Sequence, residues 1–280
     1  MGAEKIDNSH YKYPVELNTT MAESIRVEGL SKSFGSDHDE LTVFENVSFS
    51  VDAEEFLVIL GPSGCGKTTM LKIIAGITDQ TDGEITLQGI SMPADARSNA
   101  DVSMVFQDFR LLPWKTVMEN VALGLKVQSG LEKNRRHEIA QQWIERVGLD
   151  GYGTCYPTEL SGGMQQRVGL ARALAVDPDI LLMDEPFGSL DAQTKDQLQT
   201  QLLELWHDDR KTVVFVTHDI DEAIYMADTI LVLSKKPAGV IDRVSVDFER
   251  PRWEQRLEIE SSDEFKRIKS RLRRDLGLSN

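Results

Sequence analysis

Three short runs of unbroken apolar residues organise the chain: "FLVIL" at 56–60, "ILLM" at 180–183 and "TVVFVT" at 212–217. A strand with one face in water alternates apolar and polar residues, whereas a parallel strand covered on both faces is apolar throughout. The runs therefore predict central strands of a parallel sheet. The segments "SIRVEGLSKSF" (24–34), "LTVFENVSFSV" (41–51) and "GEITLQGISM" (83–92) are different: β-branched, partly alternating and separated by turn residues. That pattern predicts an antiparallel sheet beside the main core.

Helical spacing fills the gaps. After Asp191, Leu198, Leu202 and Leu205 recur on one helical face, and Met164 to Ala175 reads as a helix preceded by Ser161, Gly162 and Gly163. Between about 110 and 158 there is no good strand, but "TVMENVALGLKV" and "EKNRRHEIAQQWIERVGL" predict a helical insertion. Residues 1–22 show no period and read as a flexible leader. The tail, 251–280, is charged and helical, and its basic stretch "KRIKSRLRR" (266–274) is expected to be a solvated surface. One domain over 23–250, with a helical subdomain at about 110–158, is the resulting plan.

Composition narrows the function. With 46 acidic against 31 basic residues the net charge is -15, which opposes nonspecific binding to nucleic acid or anionic lipid. Two cysteines cannot make a zinc site or a disulfide framework of the usual spacings. The apolar stretch "FLVILGPSGCG" falls far short of the ~20 residues of a spanning helix, and no secretory or myristoylation signal is expected at the start. The cytoplasm is the expected location.

The sharpest motif is "GPSGCGKTT" at 61–69, which fits G-x-x-x-x-G-K-[ST] between an apolar strand and the helical "TTMLKIIAGI". Gly61, Gly64 and Gly66, spaced by Pro62, Ser63 and Cys65, let the backbone curl so that N–H groups face phosphate oxygens, and the helix N-terminus adds a favourable partial charge. Lys67 would bridge the β- and γ-phosphates, Thr68 would offer its hydroxyl to Mg²⁺, and Thr69 completes the nucleotide-binding set at the helix start. Cys65, at a helix start, sits where a thiolate is stabilised. It reads as a filler whose alkylation would block nucleotide by bulk.

Three more strand ends carry polar residues. "ILLMDEP" delivers Asp184, suited to the Mg²⁺ shell, and Glu185, suited to polarise an attacking water. "SMVFQ" ends in Gln107 and "TVVFVTH" in His218. An amide can ligate Mg²⁺ or orient water, and an imidazole can hydrogen-bond a terminal phosphate. No N-K-x-D guanine-reading motif accompanies them, which argues against a P-loop GTPase.

Taken together these residues resemble the ATP-binding cassette family. "GPSGCGKTT" looks like its Walker A loop, Gln107 its Q-loop, "LSGGMQQR" its signature, "ILLMDEP" its Walker B, "SLD" with Asp191 its D-loop and His218 its switch histidine. The resemblance covers about 24–250. It implies an α/β P-loop NTPase with a RecA-like parallel core, an antiparallel β-subdomain and a helical subdomain, binding ATP and Mg²⁺. It further implies a head-to-tail pair, in which Ser161, Gly162 and Gly163 of one copy crown the γ-phosphate held by the other. Phe34 matches the position of the adenine-stacking aromatic; its alternative is a core residue.

"FRLLPWKTVMENVALGL", "DEPFGSLDAQT" and "FVTHDIDEAIYMAD" look like the importer ATPases of the nitrate, sulfonate and taurine group. That resemblance implies a peripheral subunit at the cytoplasmic face of the inner membrane, beneath separate transmembrane permease subunits fed by an extracytoplasmic solute-binding protein. The region of Leu111, Leu112, Pro113 and Trp114 would meet the permease, although Trp114 could equally be internal packing. A soluble cassette acting as a nucleotide-gated interaction module is the alternative, and no nucleic acid partner is expected.

Overall fold

The computed structural model describes residues 23–35, 40–91, 101–127 and 130–278; the leader at 1–22 lies outside them. The three apolar runs are β3 (Phe56–Leu60), β7 (Ile180–Asp184) and β8 (Thr212–Thr217), each buried from end to end. With β6 (Val102–Val105), β9 (Thr229–Leu233) and β10 (Val240–Ser245) they form a six-stranded sheet in the order β10-β9-β3-β8-β7-β6. Every neighbouring pair is parallel except β10 with β9. Successive side chains of β3 explain its lack of polar residues: Phe56, Val58 and Leu60 join one hydrophobic cluster, and Leu57 and Ile59 join another. Burial of each contributes about 1.5–3 kcal/mol, on both faces at once.

A second sheet is antiparallel: β1 (Glu23–Phe34), β2 (Leu41–Asp52), β4 (Asp82–Leu87) and β5 (Ile90–Ser91), in the order β2-β1-β4-β5. Its Ile25, Val27 and Leu30 share a cluster with Leu57 and Ile59 and with Met70 and Ile73 of α1 (Lys67–Ile74). Helix α1 and the loop before it are thereby held by both sheets.

The other face of the parallel sheet carries α4 (Gly162–Leu174), α5 (Ala192–Asp208) and α6 (Ile220–Met226). Leu198, Leu202 and Leu205 of α5 are buried there. Helix α4 starts two residues before the expected Met164, because Ser161 caps it. Between β6 and α4 the described residues contain no strand; α2 (Val117–Val121) and α3 (Lys133–Arg146) pack on each other and on α4. Helix α2 opens with a reciprocal cap between Thr116 and Glu119, which satisfies two of its free donors.

The charged tail is more than a solvated appendage. It forms α7 (Arg256–Ser261) and α8 (Asp263–Asp275), and Phe265, Ile268 and Leu272 of α8 are buried against the core. Lys269 bonds Asp221 at 2.8 Å, and Arg271 grips Asp242 with two bonds of 2.7 Å. Arg252, only 1% exposed, donates to the carbonyls of Tyr225, Ala227 and Val246 at 3.0, 2.6 and 3.0 Å. Burial pulls its pKa down to about 9, so it is still a cation at neutral pH, one that clamps the end of α6.

Candidate functional site

The loop from Gly61 to Thr69 turns β3 into α1. Gly66 has φ +110°, and a Cβ there would lie 2.5 Å from Val43 Cγ1, so the turn admits only glycine. Ser63 and Gly64 form its exposed crest. Lys67 is 4% exposed and folds back on the loop: its Nζ donates to the carbonyls of Gly61 at 2.8 Å and Pro62 at 3.1 Å. Cys65 follows the filler reading and not that of a stabilised thiolate. Its side chain is buried in the hydrophobic cluster around α1, and that burial pushes the thiol up. It is therefore not an activated thiolate, whatever the helix start offers.

The polar residues at the strand ends converge on this loop. Thr68 Oγ1 donates to Asp184 Oδ1 at 2.7 Å. Burial holds the Asp184 carboxyl above the usual range, opposed by that hydrogen bond. Glu185 follows with φ +42°, a sparsely populated conformation for a residue with a side chain. Its N–H donates to Val216 O at 3.0 Å, which ties the strained residue to β8. One carboxylate oxygen lies 3.6 Å from Lys67 Nζ, and the other 2.9 Å from His218 Nδ1. An ionised carboxylate only accepts, so opposite ionised Glu185 it is Nδ1 that carries the imidazole proton. Lys67, Glu185 and His218 thus form one polar group, and the Thr68–Asp184 pair stands beside it.

Other expected residues lie apart from that group. Gln107 stands two residues beyond β6 in an exposed bend, and among the described residues none of the group bonds to it. The sheet order still puts it at the same end as Asp184, since β6 is the neighbour of β7. Phe34 ends β1 and is 46% exposed, with Lys32 Nζ 4.6 Å from its ring centre, so the core alternative is wrong. Trp114 is 70% exposed, which overturns internal packing for it, whereas Leu111 does pack against the core.

Ser161, Gly163 and Asp191 have structural tasks within their own chain. Ser161 Oγ accepts the N–H of Met164 at 3.3 Å and caps α4. Asp191 accepts the N–H of Thr194 at 3.0 Å and caps α5; its bonds to Thr194 hold its carboxyl below the usual range. A Cβ on Gly163 would fall 2.6 Å from Thr194 Cγ2, whereas one on Gly162 would sit 3.6 Å from Leu190 Cδ2, an ordinary contact. Gly163 is thus demanded by the approach of α4 to α5, and Gly162 is not.

The donor set fits Mg²⁺. A hydroxyl and a carboxylate side by side are hard oxygen ligands, and Mg²⁺ takes one or two such groups with water and phosphate making up the rest. Among the described residues no cluster of three or more His, Cys, Asp or Glu could hold a metal unaided, in keeping with an ion that arrives with phosphates. The sequence reading missed a second polar group: Lys195, Asp219 and Glu222 wall a pocket together with Glu185, Leu190 and His218. The signal was present in "HDIDE", where Asp219 and Glu222 stand at the spacing of a capping pair.

The family model for ABC transporters matches residues 44–188. An ABC transporter ATP-binding protein of Methanocaldococcus jannaschii, itself uncharacterised, is 46% identical over 91% of this chain and 93% of its own length. The aliphatic sulfonates import ATP-binding protein of Bacillus cereus is 40% identical over 89% of this chain and 94% of its own. The taurine import ATP-binding protein of Escherichia coli O157:H7 is 47% identical over 77% and 83% respectively. Among solved structures, a dimeric ATP-binding cassette in a post-hydrolysis state with ADP and Pi superposes with a TM-score of 0.71 at 32% identity, covering 80% of this chain and all of that one. Matched across its length and carrying a phosphate loop against an Asp-Glu strand end, the chain belongs to the ABC transporter family as one of its ATP-hydrolysing cassettes.

Proposed function

We propose that this cassette drives an importer of a small anionic solute, of the nitrate, sulfonate or taurine kind, through separate transmembrane permease subunits. The observation that carries its hydrolytic half is the joining of Lys67, Glu185 and His218 at the ends of adjacent parallel strands, beside Thr68 and Asp184, and the likeness to the sulfonate and taurine import proteins supports the importer half. ATP phosphates draw Lys67 off the Gly61 and Pro62 carbonyls and onto themselves, and the loop N–H groups complete the cradle. Thr68, Asp184 and Gln107 would hold Mg²⁺, which when bound neutralises charge on the phosphate oxygens. Glu185, relieved of Lys67, accepts the proton of the attacking water, and His218 keeps its carboxylate aimed. Phe34 stacks on the adenine, its exposed face supporting that role.

A second copy completes the site. Ser161, the N–H groups of Gly162 and Gly163, and Asp191 meet the phosphate end of the nucleotide held by the other chain, and the freedom of Gly162 from any packing duty supports that contact. Only the closed pair gives each ATP both loops, so ATP favours closure by its differential affinity. No described helix is long and apolar enough to cross a membrane, and the exposed Trp114 and Pro113 offer the permease a surface at the cytoplasmic face of the inner membrane. An extracytoplasmic solute-binding protein would supply the solute. The test is purification of the tagged chain from native membranes in mild detergent with ATP, followed by mass spectrometry. A stoichiometric polytopic partner is expected; recovery only in the soluble fraction would replace the importer with a nucleotide-gated interaction module.

A further inference from the structure

In the pocket shared with Glu185 and His218 lies a polar group that the hydrolytic steps above do not use. Lys195, in the first turn of α5, is 2.6 Å from Asp219 and 3.3 Å from Glu222. Glu222 is 5% exposed. One of its oxygens accepts from Thr217 Oγ1, and the other from Gln199 Nε2 at 2.9 Å. Thr217 Oγ1 accepts in turn from the N–H of Asp219 at 3.0 Å. Gln199 Oε1 accepts from Arg256 Nη2 at 3.1 Å, and Arg256 also grips Asp196 at 2.7 Å. The residues immediately before and after His218 are therefore both fixed by Lys195 and Glu222, which are themselves tied to α5 and to the C-terminal helix α7.

Ion pairs of this kind, Lys195 with the partly exposed Asp219 and with the buried Glu222, are a poor source of stability, because solvent screening and the desolvation of Glu222 offset the attraction. Their value here lies in direction. A side chain held by backbone bonded on both flanks keeps one orientation, and a misplacement of about 1 Å in a catalytic group can cost on the order of 10²-fold in rate. Lys195 sits one turn after Asp191, so the same pair that fixes Asp219 also fixes the N-terminus of α5 relative to His218.

We propose that Lys195 and Glu222 are positioning residues for His218, holding its imidazole against Glu185 and making that placement depend on α5 and, through Gln199 and Arg256, on the C-terminal helices. The proposal rests on the reading of His218 as a participant in ATP hydrolysis. Its test is a double-mutant cycle in the full chain, with steady-state ATPase rates and equilibrium binding of a fluorescent ATP analogue measured on each variant. Lys195→Met is expected to lower kcat about tenfold with nucleotide affinity within about twofold, a loss confined to turnover. Lys195→Arg restores most of the rate. In a His218→Ala background Lys195→Met costs nothing further, because it acts only through the imidazole. An unchanged kcat in Lys195→Met, or a loss that multiplies that of His218→Ala, overturns the proposal. Wild-type turnover in His218→Ala alone overturns the premise instead, and is told apart because it appears without any change at Lys195. Should Lys195→Met fail to fold, Arg256→Met serves at a partly exposed position. It is expected to lower kcat about two- to threefold in the wild-type background and not at all beside His218→Ala; no fall, or one that persists, rejects the proposal.

Discussion

At the scale of single residues, Asp184 and Glu185 are neighbours with opposite demands. Asp184 is buried and its carboxyl is raised on folding, so the folded chain binds that proton more tightly than the unfolded one, and stability falls as pH rises through the folded-state value. Asp184→Asn is accordingly expected to raise the Tm of the ligand-free chain at about pH 8, well above the carboxylate range, while abolishing Mg²⁺-dependent hydrolysis. A calorimetric scan beside an ATPase assay would check both halves. Glu185→Gln should keep ATP binding and lose turnover by at least about 10²-fold, the lower range for a general base, leaving an ATP-bound pair visible by size-exclusion chromatography. Normal hydrolysis in that variant would assign the base elsewhere. Most of these side chains were legible, because a phosphate loop needs glycines and a lysine at fixed spacing. The burial of Cys65 was not, since a loop motif specifies backbone shape and leaves open which way an intervening side chain turns.

At the scale of elements, the start of α4 separates two reasons for glycine. Gly163→Ala should destabilise the chain by about 1–3 kcal/mol, the usual cost of overpacking, because its Cβ meets Thr194 at 2.6 Å. Gly162→Ala should leave Tm unchanged or slightly higher, alanine being the better helix former by about 1 kcal/mol, and yet weaken ATP-driven pairing. Equal effects of the two on stability, by denaturant titration, would refute the distinction. Both glycines look alike in "LSGGMQQR", and only the distance to α5 tells them apart. The strands were legible for a simpler reason: β3, β7 and β8 are covered on both faces, so they are apolar along their lengths and keep polar residues only at their ends, Asp184, Thr212 and Thr217. The tail was legible as a helix but the burial of α8 was not, because Phe265, Ile268 and Leu272 form a narrow stripe beside and among the "KRIKSRLRR" charges, and composition hid the spacing.

At the scale of the whole molecule, the proposed pairing brings together two bodies each carrying a net charge of -15. Their long-range repulsion is screened by salt, the Debye length falling from ~30 Å at about 0.01 M to ~8 Å at about 0.15 M. Sedimentation of the Glu185→Gln chain with ATP should therefore show pairing strengthen over that range. A weakening would mean that local attraction between opposite charges outweighs the overall field. The site end of the sheet was readable from motif positions at strand ends, whereas the strand order was not, since it is set by pairing between segments far apart in the chain. The docking of the C-terminal helices was not, since it depends on Arg252 finding carbonyls at the end of α6, a contact between segments about 25 residues apart with no local signature.

The internal contacts of Lys67 give the cassette a form of selectivity. Lys67 already has two carbonyls and Glu185 as company, so a lone inorganic phosphate or sulfate has to displace three internal contacts with one small anion. A nucleotide brings several linked phosphates, a metal ion and a base to the same exchange. A single small anion therefore competes poorly for Lys67, where a nucleotide with its metal ion competes well.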